Sequence, residues 1–157
     1  MTANRISLTL DSSDATAQVA ATLGPNLTPG DTVLLTGDVG AGKTHFARHL
    51  IQSILVSPED VPSPTFTLVQ TYDTTLGALW HTDLYRITTD TELDELGLPD
   101  AFETAICLIE WPDRLDVLTP QDALALTLSQ GPSDDSRHLT ATWTHEKWAR
   151  KTQGFTQ

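Results

Sequence analysis

The chain has 157 residues, one cysteine, nine Lys plus Arg against 21 Asp plus Glu, and a formal net charge of −12. That balance repels a nucleic-acid backbone, so any RNA in its process would be held by another protein. One cysteine excludes an internal disulfide, and no apolar run approaches the roughly 20 residues that span a bilayer. The length fits one domain over 1–157 whose core needs neither metal nor disulfide. Cys107 lies in an apolar run, so a buried thiol in a reducing compartment is expected. The N-terminus lacks the basic region and apolar block of a signal peptide, which leaves a cytoplasmic protein as the expectation.

Residues 5–10 alternate apolar and polar, as a half-buried strand does. The polar run 11–14 offers helix N-caps, and the pattern predicts a helix to about Leu27 with Val19, Ala20, Leu23 and Leu27 inward. Pro29, Gly30 and Asp31 form a turn signal. Residues 32–35 (TVLL) then read as a buried strand, followed by GDVGAGKT at 37–44. This is the pattern G-x-x-x-x-G-K-[ST], and its required context is a strand before and a helix after. The helix is expected from the face Phe46, Ala47, Leu50, Ile51, Ile54 and Leu55, ending near Ser57 and Pro58. Glycines at 40 and 42 can take backbone angles that let successive N–H groups wrap phosphate oxygens. The helix start adds free N–H groups and a positive dipole end. Lys43 supplies a cation for β- and γ-phosphates, and Thr44 a hydroxyl for Mg²⁺. The bare alternative is a Gly-rich turn carrying an exposed lysine.

Two prolines stiffen 61–66 (VPSPTF), which is either a linker or a switch-like loop presenting Ser63 and Thr65. A hairpin is predicted with strands 67–72 and 78–84 around a turn at 73–77. Its end, HTDLYR at 81–86, is a site or a solvated face. Residues 89–97 read as a short acidic helix closed by Gly97, either solvated or facing a partner. The run 105–109 is a fully buried strand ending in Glu110, Trp111 and Pro112. An acidic residue closing such a strand downstream of a phosphate loop gives a second hold on Mg²⁺; otherwise it simply meets solvent. Strands follow at 123–128 and 137–143, and 146–157 is a closing helix or a frayed tail. His45, His49, His81, His138 and His145 lack metal-ligand spacing, so no zinc site is expected.

In this order, GDVGAGKT at 37–44, SPTFTLV at 63–69, HTDLYR at 81–86, ELDELGL at 92–98 and ICLIEWPDRL at 106–115 closely resemble the bacterial TsaE (YjeE) family. The resemblance implies an α/β, P-loop NTPase-like three-layer fold with a mixed central sheet that includes antiparallel strands. It implies a small ATPase that binds ATP/ADP and Mg²⁺ and is required for threonylcarbamoyladenosine modification of the adenosine next to the anticodon in ANN-decoding tRNAs. The partners implied are TsaB and TsaD, with tRNA met only through that complex, no membrane, and a monomer when alone. By position, Val39, Gly40, Ala41, Gly42, Lys43 and Thr44 would bind the nucleotide phosphates, and Thr44 and Glu110 would hold Mg²⁺. Asp83 falls at the family's functional aspartate, so Lys43, Asp83 and Glu110 form the expected catalytic set. Thr65 would be the hydroxyl of the switch-like loop, and Trp111 lies beside the metal carboxylate. The adenine end would lie near Ser13 or Asp14 and near Ser136 or Arg137. His45 departs from the second threonine of many relatives; its backbone N–H remains, so nucleotide binding is expected to survive. Arg86 is a candidate arginine finger or a structural ion-pair member. A small-molecule kinase would want an Arg-rich lid, and none is visible in the sequence. A module that binds ATP without hydrolysis is the other alternative.

Overall fold

Residues 4–38 and 40–155 are described by a computed structural model. The elements in chain order are β1 (Asn4–Leu10), α1 (Ser13–Leu23), β2 (Thr32–Thr36), α2 (Lys43–Gln52), β3 (Val69–Thr74), β4 (Gly77–Asp83), α3 (Asp90–Leu96), α4 (Leu98–Thr104), β5 (Ile106–Glu110), β6 (Leu124–Gln130), β7 (Arg137–Trp143) and α5 (Lys147–Lys151). The strands form one sheet in the order β1-β7-β6-β2-β5-β4-β3. Its centre, β6-β2-β5-β4, is parallel, while β3 and the β7–β1 pair add antiparallel edges. The mixed α/β architecture expected from the sequence is therefore present.

Period-two alternation divides the core between the two faces. Val33 and Leu35 of β2, with Ile106 and Leu108 of β5, join Val19, Phe46, Ala47, Leu50 and Ile51 of α1 and α2 in one apolar layer. Leu34, Cys107 and Ile109 point the other way and pack with Leu93, Leu98 and Ala101 of α3 and α4. The result is helix, sheet, helix. Cys107 is fully buried there, and burial pushes its thiol up to about 12.

Several boundaries differ from the sequence reading. The first helix stops at Leu23 and passes into a 3-10 turn, Gly24–Asn26; Pro25 has no N–H to continue the ladder. Leu27 is nonetheless buried. The second helix ends at Gln52 rather than near Ser57, because Ser53 caps it and Leu55 pairs with Thr74 of β3 instead. The hairpin turn is tighter than 73–77: Thr74 faces Gly77 directly, leaving Thr75 and Leu76 as the turn. Its first strand starts at Val69, not Thr67, since the Leu68 N–H donates to the Pro64 carbonyl in a turn. Helix α4 and a 3-10 segment, Pro112–Leu118, had no counterpart in the sequence reading. The closing helix is short, and the chain after it is packed through Phe155, which is buried.

Candidate functional site

Strands β2, β4 and β5 are parallel, so their C-terminal ends meet at one edge of the sheet. The chain leaving β2 must enter α2 through residues 37–42. It does so with Gly40 at φ 83° and Gly42 at φ 103°, a region that strongly disfavours residues carrying a Cβ. Gly42 immediately precedes α2, whose first N–H groups have no intrahelical partner and face the loop. This is an anion-binding geometry.

Lys43 is buried, and its Nζ donates to the carbonyls of Gly37 and Asp38. The same Nζ lies 4.0 Å above the Trp111 ring. Burial lowers the Lys43 pKa; the carboxylates of Glu110, Asp83 and Asp38 oppose that shift. Trp111 reaches this position through a left-handed backbone, φ 58°, directly after β5. Its ring also meets that of Tyr85 at 4.9 Å.

The parity of the strands selects the carboxylates. Glu110 follows Ile106 and Leu108 on the α2 side of β5. Asp83 pairs with Glu110 across β4 and β5 and shares that face. Thr44, in the first turn of α2, donates its hydroxyl to the two Glu110 oxygens at 2.9 and 3.2 Å. His81 Nε2 contacts Glu110 Oε2 at 2.7 Å. Asp83 Oδ1 accepts the Tyr85 N–H at 2.9 Å, and Oδ2 accepts the Thr65 hydroxyl at 3.4 Å. Thr65 is in turn bonded to Ser63 at 2.7 Å, so the proline-stiffened loop is tied to the end of β4.

A cleft of about 550 Å³ opens over this constellation. Of the residues expected from sequence, Ser13, Gly40, Gly42, Lys43, Thr44, Thr65, Asp83, Glu110, Trp111 and Arg137 line it. Ala41 lies beneath, its carbonyl accepting from Arg137 Nε at 3.0 Å. Asp14 is exposed and off the lining, and the Ser136 hydroxyl turns into its own hairpin, bonded to Ser133. Val39 lies outside the described residues. The structure adds Thr16, Asp38, His45, Tyr85 and Asp135 to the wall. His45 Nε2 lies 3.0 Å from the Ser13 carbonyl and so ties the starts of α1 and α2 together. His81 is the most consequential residue left out of the expected set. The signal for it is parity: it lies two residues from both Leu79 and Asp83 on β4, so all three face the same side as Glu110.

The donor set suits a hard cation, since a threonine hydroxyl and a carboxylate already meet within hydrogen-bond distance. Among the described residues no cluster of three or more His, Cys, Asp or Glu is set to hold a metal ion. A divalent cation here would complete its shell with phosphate and water oxygens, as Mg²⁺ commonly does.

Comparison with known proteins identifies the family and the fold. The family model described as threonylcarbamoyl adenosine biosynthesis protein TsaE matches residues 10–139. The chain is similar to the tRNA threonylcarbamoyladenosine biosynthesis protein TsaE of Rickettsia conorii, at 36% identity over 88% of this chain and 78% of that one. The protein of the same name from Rickettsia felis is 41% identical over 72% of this chain and 67% of its own. That from Bacillus subtilis is 36% identical over 73% and 70%. In structure, the chain resembles the crystal structure of Bacillus subtilis YdiB with a TM-score of 0.81, covering 98% of this chain and 95% of that one at 24% identity. This last likeness shows the fold, helices packed on a mixed seven-stranded sheet.

Proposed function

Because the chain belongs to the TsaE family, whose name places it in threonylcarbamoyl adenosine biosynthesis, we propose that it is a Mg²⁺-dependent ATPase serving threonylcarbamoyladenosine modification of ANN-decoding tRNAs. Family and fold imply nucleotide binding. The single observation that supports hydrolysis is convergence: Lys43, Thr44, Asp83 and Glu110, from α2, β4 and β5, line one cleft at the mouth of one glycine loop. The whole chain acts as one ATPase domain.

In this reading the backbone N–H groups around Gly40 and Gly42 cradle the phosphates. Lys43 leaves the Gly37 and Asp38 carbonyls and meets the β- and γ-phosphate oxygens. Thr44 and Glu110 hold Mg²⁺, which would offset charge building on the transferred phosphoryl group. Asp83 orients the attacking water, and the Thr65 loop, bonded to Asp83, responds to the γ-phosphate. Ser13 and Thr16 also line the cleft and would face the base.

Turnover by the chain alone would be slow. Arg86 stacks over the Phe66 ring at 4.9 Å, and Arg137 is engaged by the Gly40 and Ala41 carbonyls. Neither stands as a free arginine finger, a device that contributes ~10³ or more in rate. A TsaB–TsaD partner complex supplies what is missing, and the ATP cycle resets that complex between rounds of modification. The charge of −12 fits a protein that meets tRNA only through its partners, in the cytoplasm. Multi-turnover tRNA modification in a reconstituted system tests the reading. Lys43→Ala and Glu110→Ala should each abolish it; unchanged modification with either variant would overturn the proposal.

A further inference from the structure

His81 is completely buried, yet only one of its ring nitrogens has a partner among the described residues. Nε2 lies 2.7 Å from Glu110 Oε2, while Nδ1 is buried and unpaired. On β4 the ring sits between Leu79 and Asp83 in the alternation and is paired in register with Leu108, so it reaches forward along the sheet face to Glu110. An aliphatic side chain such as the neighbouring Leu79 would fill this apolar layer without leaving a nitrogen unsatisfied. A ring that leaves one costs free energy, and the bond to Glu110 is the contact it makes in return. That bond holds Oε2, and Thr44 lies 2.9 Å from Oε1. The carboxylate is therefore fixed from both sides, within a residue only 2% exposed.

We propose that His81 is a positioning residue for the divalent-cation site: by donating from Nε2 it locks the Glu110 carboxylate toward Thr44 and so sets the Mg²⁺ dependence of nucleotide binding. The inference rests on the Mg²⁺ reading given above. Carboxylates that ligate metals are themselves held by hydrogen bonds, and losing such a partner weakens metal affinity. A histidine that merely filled the core would not act on the cation selectively.

The test is calorimetric titration of the full chain with a non-hydrolysable ATP analogue, in excess MgCl₂ and again in EDTA. Wild type, His81→Leu and His81→Gln are compared through the ratio of the two affinities. In His81→Leu the ratio should fall about tenfold, with the EDTA affinity kept within about twofold. His81→Gln, which restores an N–H near the Nε2 position, should recover most of the ratio. If His81→Leu does not fold by circular dichroism, His81→Met takes its place as the apolar variant, being flexible enough to fill the same space. An unchanged ratio in the apolar variant, a parallel loss in MgCl₂ and EDTA, or equal losses in the Gln and apolar variants would each overturn the proposal. A wild-type affinity identical in MgCl₂ and EDTA would instead remove the metal reading itself, and the role of His81 with it.

Discussion

Arg137, the first residue of β7, acts on the phosphate loop from two strands away at the same end of the sheet. Its Nε donates to the Ala41 carbonyl at 3.0 Å, and an Nη to the Gly40 carbonyl at 3.3 Å. Both carbonyls belong to the stretch whose N–H groups must converge on phosphate, so the guanidinium fixes which way those peptides face. Arg137→Ala should weaken nucleotide binding by about tenfold, in line with the roughly 1.5 kcal/mol of a charged hydrogen bond. Arg137→Lys should not restore it, because an ammonium lacks the planar fork. Calorimetry with ADP measures both; an affinity equal to wild type in Arg137→Ala would contradict this. Lys43 offers a second check. Its Nζ stands 4.0 Å above Trp111, so nucleotide that draws the ammonium away should change tryptophan emission, and Trp111→Phe should lose that change. Emission from Trp111→Phe that still responds fully would refute it. The residues differ in how legible they were. Lys43 and Thr44 follow from a motif with fixed spacing. Glu110 follows from the end of an apolar run. Arg137 was placed at the adenine end by resemblance, whereas its bonds run to the Gly40 and Ala41 carbonyls of the phosphate loop, and partners so far along the chain leave no local pattern. His81 lay in the HTDLYR stretch marked as a site or a solvated face, and strand parity with Asp83 is what turns it toward Glu110.

At the scale of elements, α1 and α2 pack closely where both end. A Cβ at Gly24 would overlap Ser53 Oγ and lie 3.0 Å from the Leu50 carbonyl. Gly24→Ala should therefore destabilise by roughly 1–3 kcal/mol, the usual cost of overpacking. Adding Ser53→Ala removes the overlapping hydroxyl and should recover part of the loss. Chemical denaturation of the single and double variants measures this, and a Gly24→Ala chain as stable as wild type would contradict it. The same end shows why sequence overran the helices. Apolar residues keep helical spacing through Leu27 and Leu55, and Leu27 and Ile54 are indeed buried. Backbone chemistry ends the helices first: Pro25 cannot donate, and the Ser53 hydroxyl takes the Leu50 carbonyl at 2.6 Å. Helix α4 was missed for the opposite reason. Gly97 ends α3 in a left-handed conformation and also starts α4, so one stop signal concealed a start. The strands were legible because β1 alternates apolar and polar residues, while the buried β2 and β5 read as short continuous apolar runs. Every strand of the sheet has its counterpart in the sequence pattern, with ends shifted by turn chemistry.

Across the whole molecule, the C-terminal segment is anchored to the turn that leads into β2. Asp31, 2% exposed, receives Lys151 and Lys147, and Lys147 also reaches Asp122 at 3.0 Å. Burial pulls the Asp31 pKa up, but the bonds from Lys151, Lys147 and the Thr28 N–H prevail and hold it below its ordinary 3.8. Its stabilisation is therefore complete above that value and lost as pH falls through the folded pKa. Burial would lower the Lys147 pKa, yet Asp31 and Asp122 raise it above 10.5, so its share is complete below 10.5 and lost as pH rises through the folded value. Asp31→Asn leaves Lys151 buried without its carboxylate and should cost about 3 kcal/mol. For a chain of this size that lowers Tm by roughly 6–12 °C near neutral pH. The acid limb of the Tm profile should also flatten in the variant, and an unaltered Tm would count against the anchor. Lys43, Thr44, Asp83 and Glu110 line one cleft, and among the described residues Arg86 and Arg137 are both engaged rather than free to act as a finger. The most direct measurement is ATP hydrolysis by the pure protein, with and without the cognate TsaB–TsaD pair, alongside Glu110→Ala. Slow turnover alone, a large rise with the pair, and loss of both in Glu110→Ala is the expected result. Fast turnover that ignores the partners, or bound ATP that is never hydrolysed under either condition, would contradict it.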